Sequence, residues 1–214
     1  MMKFSLKSLL FPPKCVFCGA ILDKNEFEIC EKCKREVRLC GVPHAVKKPN
    51  YIRAFSVYRY EGRVRTAIHR FKFKGKLSAC AHFGRMMAIV WNREGINADL
   101  ITHPPSHRFK SWRKGYDHAK MLAQTVAKEL SLPEKELLKK VRRTKPMYGL
   151  HESERRANLL GSMAFCGKKE ELCGKTVLLV DDILTTGTTA SESARILMEN
   201  GAKAVYVLTA AAKK

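Results

Sequence analysis

The stretch Val177-Leu178-Leu179-Val180-Asp181-Asp182-Ile183-Leu184-Thr185-Thr186-Gly187-Thr188-Thr189 decides the fold. It opens as a continuous apolar run, the pattern of a strand buried on both faces of a parallel sheet. The run stops at two adjacent carboxylates, where such a strand would reach its carboxyl end. Open α/β sheets hold their ligands at that end. A loop of hydroxyl residues around Gly187 follows, and a helical pattern begins at about Thr188. Gly187 lets the backbone turn so that several N–H groups converge. The helix start adds its positive dipole end and unpaired donors. Such a turn suits one phosphate, with two carboxylates beside it that can accept from vicinal sugar hydroxyls.

Helix capping alone needs one such residue and not six. A nucleotide-hydrolase strand ending in acids would need a P-loop partner, and Gly174-Lys175-Thr176 is the candidate. That triplet precedes a strand instead of following one, and Lys169 stands where the first glycine should be. The combination of apolar strand, acidic pair and Thr-Thr-Gly-Thr-Thr instead resembles the phosphoribosyl pyrophosphate (PRPP) motif of type I phosphoribosyltransferases. The resemblance implies that Asp181 and Asp182 hold the ribose 2′- and 3′-hydroxyls and are the candidate catalytic acids. It implies that Thr185, Thr186, Gly187, Thr188 and Thr189 hold the 5′-phosphate, and that Mg²⁺ accompanies the pyrophosphate.

Outward from this stretch, strands and helices alternate. Thr188 to Asn200 reads as a helix closed by Gly201, and Ala204 to Thr209 as the last strand. Upstream, Met163 to Cys166 reads as a short strand, and a helix starts near Ser153 without a capping box from Ser153 to Arg156. The charged segment before it, broken by Pro146 and Gly149, reads as a strand and a lid-like loop. Tyr116 to Leu130 is a helix with Ala119, Leu122, Val126 and Leu130 on one face. It follows a strand at Ala98 to Thr102 and a basic loop, in which Arg108, Lys110, Arg113 and Lys114 are either a second phosphate site or solvated charge. The helix over Ala79 to Arg93 buries Phe83, Met86, Met87 and Val90. The expected fold class is α/β, a mostly parallel sheet flanked by helices, with a small N-terminal zinc-binding module.

That module is read from Cys15-Val16-Phe17-Cys18, eleven intervening residues, and Cys30-Glu31-Lys32-Cys33. Each pair can place two thiolates on one tetrahedral zinc, so Cys15, Cys18, Cys30 and Cys33 are the expected ligands of a structural Zn²⁺. A redox motif would need only one pair. Cys80, Cys166 and Cys173 read as small core hydrophobes. The division expected is a zinc-finger module over 1–45 and an α/β domain over 46–214, joined by a linker from Gly41 to Asn50.

Between Lys47 and Lys76 there are ten basic residues and one acid, interleaved with Tyr51, Phe55, Tyr58, Tyr60, Phe71 and Phe73. One reading is a surface for single-stranded nucleic acid, with Arg70, Lys72, Lys74 and Lys76 on phosphates and the aromatics under bases. The other is a buried aromatic stripe with a solvated cationic face. The first reading expects this arm to lie apart from the Asp181 pocket. A net charge of +21 on 214 residues favours polyanionic partners and says nothing about fold. At 45% hydrophobic and 29% charged the composition is ordinary for a globular protein, and no apolar run reaches membrane-spanning length. Met1 to Phe11 lacks a sustained apolar core and a cleavage site, so the cytoplasm is the expected compartment.

The whole layout resembles the ComF-type competence proteins, a zinc finger joined to a phosphoribosyltransferase-like domain. Besides the finger and the acidic motif, the likeness rests on Lys114-Gly115-Tyr116-Asp117-His118-Ala119 and Glu154-Arg155-Arg156-Ala157-Asn158. The family's Arg-Gly-Phe-Asn-Gln is replaced by related residues at the first, and its Pro-Val-Pro is His103-Pro104-Pro105 here. The resemblance implies a factor for DNA uptake and natural transformation, with PRPP or a related phosphoribosyl ligand, nucleic acid and competence proteins as partners. It adds Lys114 and Arg155 to the PRPP-binding residues. It leaves open whether the chain is an active phosphoribosyltransferase acting on a nitrogen acceptor.

Overall fold

The computed structural model describes residues 12–40, 50–74, 77–105, 117–144 and 151–213. Strands β1 (Arg53–Arg59), β2 (Leu100–Thr102), β5 (Thr176–Leu184) and β6 (Ala204–Ala212) form one sheet in the order β1-β6-β5-β2. All its pairings are parallel. The long apolar strand therefore lies inside the sheet, as its unbroken hydrophobic run requires. Strands β3 (Leu138–Lys140) and β4 (Met163–Phe165) form a separate antiparallel pair.

One face of the sheet is covered by α2 (Gly62–Lys74), α3 (Leu77–Arg93) and α4 (His118–Leu130). Their apolar stripes, Ile68 and Phe71, Phe83 and Met87, Leu122 and Val126, meet Phe55, Val57, Leu178, Val180 and Leu208 from the strands. Helix α3 has no side chain at Gly84, where a Cβ would stand 2.4 Å from the Thr125 methyl of α4. The glycine thus sets how closely the two helices approach. The other face carries α7 (Thr188–Glu199), with α5 (Glu152–Leu159), α6 (Lys169–Leu172) and the β3–β4 pair. There Ala190, Ala194 and Leu197 share a core with Val177, Leu179, Val205, Val207, Leu138 and Leu159.

The cysteine module, with helix α1 (Glu31–Glu36) inside it, is not a separate body. Phe17, between the first two cysteines, is fully buried and packs edge-on against Tyr58, His82 and Phe83, with ring centroids 5.3, 5.5 and 6.1 Å away. His82 is buried beneath it, its Nδ1 2.9 Å from Glu28 Oε2 and its Nε2 2.8 Å from the Tyr58 hydroxyl. A carboxylate only accepts, so Nδ1 carries the proton and Nε2 accepts from Tyr58.

Burial holds the His82 imidazole down to about 4, so it is neutral near pH 7. The unfolded chain binds a proton on this ring near 6.5 and the folded chain does not, so the unfolded state takes up more protons between about 4 and 6.5. The stability from this site is complete above that window and is lost as pH falls through it, by about 3 kcal/mol. Melting temperatures recorded from pH 8 to pH 4.5 should fall less steeply for His82→Gln than for the wild type. Equal slopes would mean that this ring does not titrate between the two states.

Three expectations change, and one open choice is decided for four residues. Strand β5 does not stop at the acids but runs through them to Leu184, because β6 also continues past Thr209 and pairs Ala211 and Ala212 with Ile183 and Leu184. Cys166 and Cys173 are exposed; Cys80 is buried as expected. Helix α5 starts one residue earlier than expected and has an acidic cap, with Glu154 Oε2 accepting from the His151 N–H at 2.7 Å. Tyr51, Phe55, Tyr58 and Phe71 are all buried, so these four aromatics are core and not a stacking surface, while Tyr60 is half-buried and the Phe73 side chain lies outside the described residues. Residues 41–49 of the expected linker, the basic loop 106–115 and the loop 145–150 lie outside the described residues.

Candidate functional site

The carboxyl ends of β5, β6 and β1 place a polar row across an otherwise apolar sheet. Asp181 is in register with Thr209, and Thr209 with Ser56. The two hydroxyls are buried and 2.6 Å apart. Successive strand residues face opposite ways, so the two acids diverge. Asp182 is buried on the side of α2 and α4, where its Oδ1 meets Lys72 Nζ at 2.9 Å and its Oδ2 meets His118 Nε2 at 3.2 Å. Asp181 is half-buried, and one of its oxygens accepts from the Asp182 N–H at 2.8 Å. Burial, and after it repulsion from Asp182, pushes the Asp181 carboxyl up to about 7. Burial opposes the charge on Lys72, yet the Asp182 and Asp181 carboxylates hold its ammonium above the usual lysine range.

Beyond Leu184 the chain turns through Thr185 and Thr186 to Gly187, which is buried, has φ 73° and precedes α7. A left-handed conformation at this point is cheap only for glycine. The N–H groups of the first turn of α7 are consequently presented at the end of β5, beside the Thr186 and Thr188 hydroxyls, which lie 2.7 Å apart. Arg155 reaches the same turn from α5, with Nη1 3.5 Å from Thr185 Oγ1. Its Nε is buried and has no partner among the described residues. Asn50 donates to the carbonyl and hydroxyl of Ser191, one turn into α7, at 3.2 and 3.1 Å.

Asp181, Asp182, Thr185, Thr186, Gly187, Thr188, Thr189 and Arg155 are therefore neighbours, and Lys72 joins them. Lys72 and His118 are the two residues that sequence reasoning did not assign to this pocket. His118 lay within a segment quoted for its family likeness, directly after Asp117, whose carboxylate caps α4 by accepting from the Ala119 and Lys120 N–H groups. Lys72 was grouped with the cationic arm because no local pattern ties residue 72 to residue 182. The arm is thus not distinct from the pocket.

Arg70 also turns inward: its guanidinium donates to the carbonyls of Val16, at 3.2 Å, and Phe17. A Cβ at Gly19, where φ is +80°, would stand 3.0 Å from Arg70 Nη1, which explains the glycine. Lys114, Lys76 and the side chain of Lys74 lie outside the described residues.

The four cysteines of the module converge. The sulfurs of Cys15, Cys18, Cys30 and Cys33 all lie within 4.8 Å of one another, three of the residues being buried. Cys18 and Cys30 are 3.6 Å apart, close to the edge of a tetrahedron with zinc–sulfur bonds of about 2.3 Å. Backbone N–H groups of Cys30 and Ala20 point at the sulfurs of Cys15 and Cys18, at 3.4 and 3.5 Å, as suits thiolates. The donor set fits a structural zinc.

Known proteins show the same two parts. The double zinc ribbon domain family matches residues 6–46, and the phosphoribosyl transferase domain family matches residues 117–214. Competence protein F of Haemophilus influenzae is 24% identical over 91% of this chain and 94% of its own length. The DNA utilization protein YhgH of Salmonella typhimurium is 27% identical over 93% of this chain and 96% of its own. Over nearly its whole length the chain is similar to these competence and DNA utilization proteins. Among solved structures, an allosteric regulatory enzyme of purine biosynthesis is 22% identical over 61% of this chain and 25% of that one, with a TM-score of 0.41. No described helix of this chain is long and apolar enough to cross a membrane.

Proposed function

We propose that this chain binds PRPP or a related phosphoribosyl ligand, with Mg²⁺, and serves DNA uptake or utilization in the cytoplasm. The observation that carries the ligand is the β5–α7 junction. A left-handed buried glycine, a helix start, clustered threonine hydroxyls and an arginine with an unpartnered buried Nε surround one point beside an acidic strand end. The turn takes the 5′-phosphate, and the acidic strand end takes ribose hydroxyls. The role in DNA handling is supported by the names of the full-length relatives and by the charge of +21.

Nucleic-acid contact falls to the cations that the fold has not drawn inward, since Arg70 and Lys72 of the arm hold the ribbon and the pocket. A reducing compartment keeps the four zinc thiols available. Phosphoribosyl transfer to a nitrogen acceptor is the second reading, favoured by the intact acid pair beside the phosphate turn. Here the residues would act by holding ribose and phosphates away from water.

Thermal melting tests the ligand. PRPP with Mg²⁺ at about 100 times Kd should stabilise the chain by about 2.7 kcal/mol, a rise of roughly 5–10 °C. Replacing both Asp181 and Asp182 by Asn should remove most of that rise. An unchanged shift in the double variant would place the ligand elsewhere. Pyrophosphate release in the presence of purine, pyrimidine and amine acceptors separates a transferase from a binding module.

A further inference from the structure

We propose that the two acids have different tasks: Asp181 is the carboxylate that meets ribose hydroxyls, and Asp182 is a positioning residue that holds Lys72 toward the same ligand, where its ammonium contacts the diphosphate. The inference rests on the phosphoribosyl reading of the pocket and divides its labour. Asp182 is 4% exposed; its Oδ1 is held by Lys72 of α2, and its Oδ2, 3.2 Å from His118 Nε2 of α4, is buried with no hydrogen-bond partner among the described residues. A carboxylate so deeply buried presents almost no surface to sugar hydroxyls.

Asp181 is less deeply buried than Asp182, and among the described residues its carboxylate accepts only from the Asp182 N–H. Its neighbour's charge and its burial disfavour a second anion here, and hydroxyl donors from a ligand would relieve that. The Lys72 side chain keeps about a quarter of its surface open, so the ammonium is pinned but reachable. It lies on the α2 and α4 side of β5, whereas the Thr186–Gly187–Thr188 turn belongs to α7 on the other side. A ligand with its 5′-phosphate in the turn thus presents its opposite end to Lys72. For PRPP that end is the diphosphate on C1′.

Two ligands separate the roles, because ribose 5-phosphate has the sugar and the 5′-phosphate but no diphosphate. Their Kd values would be measured by calorimetry, with Mg²⁺, on wild type, Asp181→Asn, Asp182→Asn and the pair Lys72→Met with Asp182→Asn. The pair removes both charges together, so neither is left buried alone and the fold is kept. Asp181→Asn should weaken both ligands alike. The Lys72/Asp182 pair should weaken PRPP roughly tenfold or more, the scale of a charge-assisted contact, and change ribose 5-phosphate less than about twofold.

Asp182→Asn alone should lower PRPP affinity in the same selective direction. A purely structural role would not move the ratio of the two affinities. An unchanged ratio in the paired variant, or equal loss of both ligands in Asp182→Asn, would overturn the division of tasks while leaving the phosphoribosyl pocket intact. Failure of wild type to bind either ligand would overturn the pocket itself, and this assignment with it.

Discussion

Replacing Cys30 and Cys33 by serine is expected to release the metal and lower the melting temperature of the whole chain, not of the ribbon alone. Two of the four thiolates that can hold one zinc would be gone. In isolated fingers the metal contributes about 10–16 kcal/mol of folding free energy. In this chain the ribbon is also a wall of the main core. Phe17 sits fully buried against Tyr58, His82 and Phe83, and Val16 and Leu22 belong to the same cluster or its edge. Exposing three such side chains costs roughly 2 kcal/mol each.

Loss of the knuckle also strips Arg70 of the Val16 and Phe17 carbonyls, and Glu28 would leave His82 and Arg85. A total of several kcal/mol in a chain of this size lowers the melting temperature by on the order of 10–20 °C. Calorimetry with metal analysis checks it. Wild type should carry about one zinc and melt in one transition, and the variant should carry none and melt early. An α/β domain that still melted at the wild-type temperature would show two independent modules, as the sequence alone suggested. Absence of zinc from freshly purified wild type would remove the metal site altogether.

The difference between those two outcomes shows what could be read in advance. The sheet core was legible, since an apolar run as long as Val177 to Val180 has few other homes, and the helices α2, α3, α4 and α7 followed from their spacing. The phosphate turn was legible because glycine, threonines and helix start are contiguous. The two Cys-x-x-Cys pairs were legible because metal geometry fixes their spacing.

What was hidden is non-local. Phe17 looks like a filler residue between ligands, and only the fold brings Tyr58, His82 and Phe83 around it. Lys72 and Arg70 read as two cations on one exposed face, but residues two apart on a helix point in different directions. One of them reaches the ribbon and the other reaches Asp182. The aromatic residues of the arm could equally be core or platform, because alternation along β1 is masked when both faces are covered. Strand ends were misjudged for a related reason: Asp181 and Asp182 look like a terminus, yet backbone pairing with β6 carries the strand past them.

Gly187→Val is expected to abolish PRPP-induced stabilisation and to cost stability even without ligand. Gly187 has φ 73°, and a β-branched residue there pays about 1–3 kcal/mol of backbone strain. The turn has little room to relax, since the residue is buried and its carbonyl accepts from the Ser191 N–H at 2.8 Å, closing the first turn of α7. Relaxing φ to a negative value would swing that carbonyl and the following N–H groups away from the Thr186 and Thr188 hydroxyls. A branched side chain would also occupy the space in which a phosphate must approach the backbone.

The ligand-free variant should therefore melt roughly 2–10 °C below wild type, and added PRPP with Mg²⁺ should move that value by less than about 1 °C. Gly187→Ala, which carries the strain without the branched bulk, should keep a partial shift. Thermal melting at matched PRPP concentrations distinguishes the cases. If Gly187→Val kept the full wild-type shift while melting early, the strain argument would stand and the phosphate would have to bind away from the β5–α7 turn.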